Sequence, residues 1–278
     1  MSMVWVTGAG GLIGSWLVRT AARFAPGRSV VGVTRDWLDL GDFAAVRRAF
    51  REQQPEAVIH CAAMSKTPAC QASPEQARRI NVELTTLLAE LASEQPFLFL
   101  STDLVFDGRK GNYTEADAPH PLNIYAETKA AAEQVVRRNP RHTIIRTSIN
   151  YGASPTGDRS FNEEMAAAWR AGRTLNLFTD EFRCPIPTEV TARAVWELLN
   201  RGVTGLFHVA GAERLSRYDI GKLVAARHPE LRPRLAAGSI KDYTGPARSP
   251  DTSLNCAKAQ ALLSFPLPKF SEWMAAHG

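Results

Sequence analysis

Short runs of apolar, β-branched and aromatic residues alternate along the chain with longer stretches whose apolar positions recur every three or four residues. The first short run, Val4-Trp5-Val6-Thr7, leads through a cluster of glycines into Ser15-Trp16-Leu17-Val18-Arg19. The pattern predicts further strands over 29–34, 57–60, 97–100 and 143–146, and helices over 43–53, 74–93 and 124–138. In the longest helix Ile80, Leu84, Leu87, Leu88 and Leu91 fall at helical spacing. Strands separated by helices predict an α/β fold: a doubly wound parallel sheet with right-handed crossovers and helices on both faces. Beyond Asn150 the pattern loosens into a turn-rich link (152–159), a helix (161–170), a strand (175–178), a helix (188–200), a strand (206–209) and a loop rich in Pro and Gly (229–250). Residues 1–150 are therefore expected to form the main domain. Residues 151–278 are expected to form mainly a smaller lobe, with 186–210 returning to the main domain.

In such sheets ligands sit at the carboxyl ends of the strands, and Thr7, Thr34, His60, Thr102 and Thr147 fall at or near those ends. The first predicted strand runs into Gly8-Ala9-Gly10-Gly11-Leu12-Ile13-Gly14 and then a helix. Strand, glycine turn and helix are the context of a Rossmann-type dinucleotide site. Gly8 allows the tight turn, Gly11 lets backbone approach a pyrophosphate, and Gly14 lets the helix pack on the strand. The free N–H groups of the helix start, at Leu12 and Ile13, face the phosphates.

The run Phe97 to Leu100 ends in Ser101-Thr102-Asp103, and Tyr125-Ala126-Glu127-Thr128-Lys129 opens a run of strong helix formers. Four residues apart on a helix, the Tyr125 phenol and the Lys129 ammonium share a face. A neighbouring cation lowers a phenol's pKa from its ordinary value near 10. Thr102 would add a hydrogen bond to the same substrate oxygen, completing a proton-transfer site for a carbonyl or alcohol. Taken alone, such a pair is weak evidence and reads more readily as a solvated helix face.

Together, Gly8-x-x-Gly11-x-x-Gly14 and Tyr125-x-x-x-Lys129 resemble the short-chain dehydrogenase/reductases, in particular the extended branch that acts on nucleotide sugars. Ser101-Thr102-Asp103-Leu104-Val105-Phe106-Asp107-Gly108, Arg146-Thr147-Ser148-Ile149-Asn150-Tyr151-Gly152 and Arg248-Ser249-Pro250-Asp251-Thr252-Ser253-Leu254 are similar to the dTDP-4-dehydrorhamnose reductase group. The resemblance spans nearly the whole chain. It implies Thr102, Tyr125 and Lys129 as catalytic residues, with Ser101, Tyr125 and Lys129 also beside the cofactor. It further implies Asp39-Leu40 beside the adenine, Cys61-Ala62-Ala63 as a small-residue turn against the cofactor, and Asn81 near the active site. From the residues alone, Asn81 and His60 read more readily as structural polar groups, His60 as a strand-end histidine and not a catalytic base. On the substrate side stand Asp103, Val105, Ile149 and Asn150, with Arg183 and Arg248 as diphosphate partners, since a guanidinium binds phosphate oxygens bidentately. Members of the group commonly carry tryptophan where this chain has Ile149, which leaves the sugar open.

A carboxylate at the end of the second strand would favour NAD, whereas Thr34-Arg35 stands there, so NADP is preferred and NAD remains open beside Asp36. The expected activity is NAD(P)H-dependent reduction of a keto group, on a nucleotide-linked 4-keto-6-deoxy sugar. The alternatives are an epimerase or dehydratase, a reductase of another carbonyl, and a non-catalytic subunit like the regulatory β subunit of methionine adenosyltransferase.

Composition narrows the remaining classes. The 278 residues are 45% hydrophobic and 22% charged, ordinary for a globular protein. The short N-terminal apolar run lacks a basic leader and is used by the first strand, so neither a signal peptide nor a membrane span is expected. Cys61, Cys70, Cys184 and Cys256 lack a Cys-x-x-Cys spacing and read as reduced thiols of a cytoplasmic protein without a metal site. The net charge of +5 comes from dispersed cations, including Arg47, Arg48 and Arg51 on one helix and Arg137, Arg138 and Arg141 at the end of another. No aromatic-interleaved basic tract marks a nucleic-acid partner. A homodimer is left open.

Overall fold

The computed structural model describes residues 2–277. Six parallel strands, β1 (Ser2–Thr7), β2 (Arg28–Val33), β3 (Ala57–His60), β4 (Phe97–Thr102), β5 (Thr143–Thr147) and β6 (Gly205–Val209), form one sheet in the order β6-β5-β4-β3-β1-β2. Chain direction across the sheet reverses at β1, which lies between β2 and β3. Ligand crevices of doubly wound sheets form at such a point. The register aligns the strand ends: Thr7 faces His60, and Thr102 faces Thr147.

Both faces are apolar, as a buried parallel sheet requires. Val4, Val6, Ile59, Leu98, Leu100 and Ile145 pack on one side with Leu17 and Trp196. Trp5, Val58, Phe97, Phe99 and Ile144 pack on the other with Phe50, Leu84, Leu88 and Val136. The return expected at 186–210 takes the form of the Thr188–Asn200 helix, which lies against the Leu12–Phe24 helix, and of β6. A second return was not expected: Ala259, Leu263, Phe265 and Leu267 join the first core as well. Met165, Trp169, Ile220, Val224, Phe270 and Met274, from the part of the chain beyond Asn150, form a separate apolar cluster.

The long helix expected over 74–93 is interrupted. It runs as Pro74–Arg78, a π-helical turn Arg79–Glu83, and Leu84–Leu91. The expected loop over 229–250 contains a strand, Leu235–Gly238, which pairs in parallel with Leu175–Phe178. No described helix is long and apolar enough to cross a membrane. All four cysteines are free, and the described residues contain no cluster of three His, Cys, Asp or Glu able to hold a metal.

Candidate active site

The glycine turn is built by close approach. Gly8 has φ +69°, and a Cβ there would lie 2.7 Å from the Ala62 nitrogen. The Gly11 N–H donates to the Gly8 carbonyl at 2.9 Å. A Cβ on Gly14 would stand 2.3 Å from that carbonyl, so Gly14 admits the turn itself rather than the strand. Gly10 has nothing within 4 Å of such a position, and Gly11 caps the Leu12–Phe24 helix without a side-chain acceptor. The first N–H groups of that helix, Leu12 and Ile13 included, therefore point at an open face.

Thr7 fixes the facing loop. Its Oγ1 accepts the Cys61 and Ala62 N–H groups, each at 3.2 Å, and lies 2.6 Å from His60 Nδ1. His60 Nε2 lies 3.0 Å from Thr85 Oγ1, which donates to the Asn81 carbonyl. Burial first, and then the Lys129 charge, pull the His60 pKa down to about 3, so the ring is neutral. With Thr7 accepting two bonds and donating to Nδ1, the ring proton is assigned to Nε2. His60 is a structural strut, and it holds the Cys61-Ala62-Ala63 turn beside the glycines. Arg35 is exposed and has no hydrogen-bond or ion-pair partner among the described residues. Thr34 turns the chain through its carbonyl, which accepts from Trp37 and Leu38. Asp39 Oδ1 accepts the Gly41 N–H at 2.9 Å, and Leu40 packs half-buried on the second core.

The residues expected to transfer the proton come from β4 and the Ile124–Val136 helix, whose N-cap Asn123 accepts the Ala126 N–H at 3.1 Å. Lys129 Nζ donates to the Leu100 carbonyl at 2.6 Å and lies 3.9 Å from the Phe99 ring centre. Ser101 Oγ donates to Glu133 Oε1 at 2.6 Å, so the hydroxyl expected at the cofactor is turned inward. Thr102 and Tyr125 line one cleft. The expectation that Lys129 depresses the Tyr125 pKa is corrected here. The long lysine stem runs to the strand, and burial raises the phenol's pKa, with the Asp103 charge adding to it and the Thr102 hydroxyl opposing. Burial lowers the Lys129 pKa to about 7, while Glu133 and Cys61 pull it upward.

Asn81, in the π-turn, is fully engaged. Its Oδ1 accepts the Met64 N–H at 2.8 Å, and its Nδ2 donates to the Met64 carbonyl at 3.0 Å and to Thr128 Oγ1 at 2.9 Å. It ties the loop after β3 to the Tyr125 helix, and both amide protons are spent within the protein.

Asp103 gathers three sequence motifs. Its carboxylate accepts hydroxyl protons from Thr102 at 3.2 Å, Ser148 at 2.8 Å and Thr252 at 2.9 Å, with Arg183 Nε at 3.7 Å. Burial raises its pKa against these partners. Two expected substrate contacts are not at the cleft. Val105 is fully buried, because the 3₁₀ turn Asp103–Val105 rotates it into the interior, and Leu104 takes the cleft wall. Asn150 is occupied by Thr147, the Ser148 carbonyl and Thr191. Ile149, Arg183 and Arg248 do line the cleft.

The two arginines are not free, however. Buried Glu181 accepts from Arg248 Nε at 2.6 Å and Nη2 at 2.8 Å, and pairs with Arg183 Nη2 at 2.7 Å. Arg183 is further spent on the Phe182 and Ser249 carbonyls. The unclaimed guanidinium is Arg217, a residue outside the motifs. It lines the same cleft, its guanidinium lies 5.6 Å from the Phe161 ring centre without a hydrogen-bond or ion-pair partner among the described residues, and it stays cationic with its pKa lowered by burial to about 10. Tyr243 and Ala247 close the cleft from the loop over 239–249, which Asn123 Nδ2 holds through the Ala247 carbonyl at 3.0 Å. The enclosed volume is about 250 Å³.

Residues 1–277 match the family model described as the RmlD substrate binding domain. The chain belongs to this family. Membership of the RmlD substrate binding domain family bears out the resemblance carried by the glycine turn and the Tyr125–Lys129 pair, and with it the assignment to short-chain dehydrogenase/reductase oxidoreductases. A probable low-salt glycan biosynthesis reductase, Agl14, of Haloferax volcanii is 33% identical over 291 residues, covering 98% of this chain and 96% of its own. The solved dTDP-4-dehydrorhamnose reductase of Clostridium acetobutylicum superposes with a TM-score of 0.87 at 25% identity, covering 100% of this chain and 98% of its own. The β subunit of methionine adenosyltransferase 2 of Rattus norvegicus is 28% identical over 275 residues, covering 93% of this chain and 82% of its own.

Proposed function

We propose that the protein is an NADPH-preferring reductase of a keto group on a nucleotide-linked 4-keto-6-deoxy sugar, with Tyr125 as proton donor. One observation carries this reading: a single cleft holds Thr102 and Tyr125 on one wall and the unpaired cation Arg217 on another. A proton donor within reach of a fixed cation suits a carbonyl compound with an anionic handle, such as a sugar diphosphate.

The chain's residues fit a nicotinamide dinucleotide. The open glycine face and uncapped helix start suit its pyrophosphate, and Asp39 with Leu40 flank the adenine position. Exposed, unpaired Arg35 suits a 2′-phosphate and favours NADPH over NADH. When bound, the nicotinamide supplies a hydride to the carbonyl carbon. Tyr125, protonated at neutral pH because burial raises its pKa, gives its proton to the carbonyl oxygen. Thr102 orients that oxygen by turning its one hydroxyl proton from Asp103 onto it. Lys129 donates once to Leu100, which leaves two ammonium protons for the nicotinamide ribose. A single acid, Asp103, follows Thr102, and it is bound by Ser148, Thr252 and Arg183, which favours the reductase over a dehydratase.

The reading is tested by following NADPH and NADH absorbance with a dTDP-4-keto-6-deoxy sugar. Tyr125→Phe should lower kcat by about 100- to 10,000-fold with NADPH affinity unchanged. Undiminished turnover in that variant removes Tyr125 as the donor. NADPH binding with no turnover on any sugar nucleotide favours the regulatory-subunit reading, which the similarity to the adenosyltransferase β subunit keeps open.

A further inference from the structure

Behind the proton-transfer residues lies a second layer of polar contacts that no substrate reaches. Three consecutive residues at the end of β4 each meet the Ile124–Val136 helix in a different way. The Leu100 carbonyl accepts from Lys129, Ser101 donates to Glu133, and Thr102 opens onto the cleft with Tyr125. Tyr125, Lys129 and Glu133 follow one another at four-residue steps, one helical face. Glu133 and Arg146 are both fully buried. Arg146 Nε and Nη2 donate to the two Glu133 oxygens at 2.9 and 2.6 Å. In the sheet Arg146 lies beside Ser101 on one side and His208 on the other. His208 Nε2 lies 3.4 Å from Arg146 Nη1, and its Nδ1 lies 3.1 Å from the Tyr113 carbonyl. A polar row thus crosses β4, β5 and β6 beneath the helix, and Glu133 is the carboxylate it serves.

A buried ion pair of this kind is weak evidence for stability, since apolar residues of similar volume often do as well. Its placement one turn beyond Lys129 points elsewhere. We propose that Glu133 is a positioning residue for proton transfer: clamped by Ser101 and Arg146, it fixes the helix on the strand end and keeps Lys129 in its ammonium form. This inference rests on the reductase reading above. The groups around Lys129 leave Glu133 as its anionic neighbour. Tyr125 on the same helix is neutral and protonated, His60 on β3 is neutral, and the Cys61 thiol is held neutral by burial with its pKa pushed up to about 12. Arg146 and Arg137 are the cations on this side, both paired with Glu133, the latter at 3.9 Å. Removing the carboxylate takes away the charge that raises the Lys129 pKa.

The test uses the full chain labelled with ¹³Cε-lysine, with the Lys129 resonance assigned from Lys129→Met. In Glu133→Gln the Lys129 titration should move down by about one pH unit. The alkaline limb of kcat should move with it, because the ammonium is then lost at lower pH. Glu133→Gln leaves Arg146 buried and unpaired and could fail to fold, so Glu133→Gln/Arg146→Met is made beside it. Neutral residues replace the pair there; the Arg146 charge, which opposes that of Glu133 at Lys129, is lost as well, so a smaller downward shift is expected. A Lys129 titration in the double variant that coincides with wild type overturns the inference, as does a titration that moves while the kcat limb stays. A shifted titration in a protein that reduces no sugar nucleotide supports the clamp and counts against the reductase reading instead.

Discussion

Tyr125 lies in surroundings that raise its pKa, whereas its sequence partner Lys129 suggested the reverse. The i,i+4 spacing located the pair but could not show where the lysine stem would run, since a four-carbon chain reaches either the phenol or the Leu100 carbonyl. Val105 and Leu104 exchanged places for a similar reason: the Leu104 N–H donates to Thr102 Oγ1 at 3.2 Å, and that tight turn breaks the strand alternation on which a facing residue is chosen. Arg183 and Arg248 were legible as cations but not as cations already claimed by Glu181, sixty and more positions from Arg248 in the chain. Arg217 lies in no motif, and only the fold carries it into the cleft. Because the Arg217 guanidinium has no hydrogen bond or ion pair to lose among the described residues, Arg217→Gln should raise KM for the nucleotide sugar by about ten- to a hundredfold. Its melting temperature and NADPH affinity should stay at wild-type values. Steady-state kinetics beside a thermal melt check this, and an unchanged KM would return the anion-binding role to Arg248.

Elements were more legible than their interruptions. The strand over 57–60 and the helices over 43–53, 161–170 and 188–200 form with the bounds their patterns predict. Buried apolar runs and clear helical periodicity specify an element with little help from tertiary contacts. The break in the helix over 74–93 was not legible, because Asn81 changes the helix only once Met64 and Thr128 are in place to receive its amide. That π-turn links the loop beside the glycines to the helix of Tyr125. Asn81→Ala would leave the part-buried Met64 N–H without its partner and the Met64 carbonyl with the Cys70 thiol alone, and should cost about 1–3 kcal/mol. Urea unfolding should show a lower midpoint with an unchanged slope. A midpoint equal to wild type would mean that the loop holds without its amide.

Over the whole molecule, the sheet and its two apolar faces were legible from the alternation of strands and helices, and so was the first return of the chain. The second return, through Ala259 to Leu267, was not. Short apolar segments near the end of the chain fit either lobe until their partners on the sheet are known. The whole fold also carries a pH dependence through its buried neutral imidazoles. Burial lowers the pKa of both His60 and His208 to about 3, below the ordinary value near 6.5. Above pH 6.5 both states are neutral and neither histidine affects stability. Between pH 6.5 and 3 the unfolded chain binds protons that the folded chain refuses. Stability should therefore fall as pH falls, by about 1.4 kcal/mol per pH unit from each group. Denaturant titrations from pH 7 to pH 4 should show this slope, and His60→Asn should reduce it.

The central claim is hydride delivery to a ketone whose oxygen Tyr125 protonates, and the most direct measurement follows that hydrogen. The protein would be incubated with a dTDP-4-keto-6-deoxy sugar and NADPH carrying deuterium at the nicotinamide C4. The expected product is a dTDP-6-deoxy sugar one mass unit heavier than its protium counterpart, labelled at the new carbinol carbon on one face only, and absent with Tyr125→Phe. Product without deuterium at that carbon, or unreacted ketone beside NADPH that binds tightly, would contradict it.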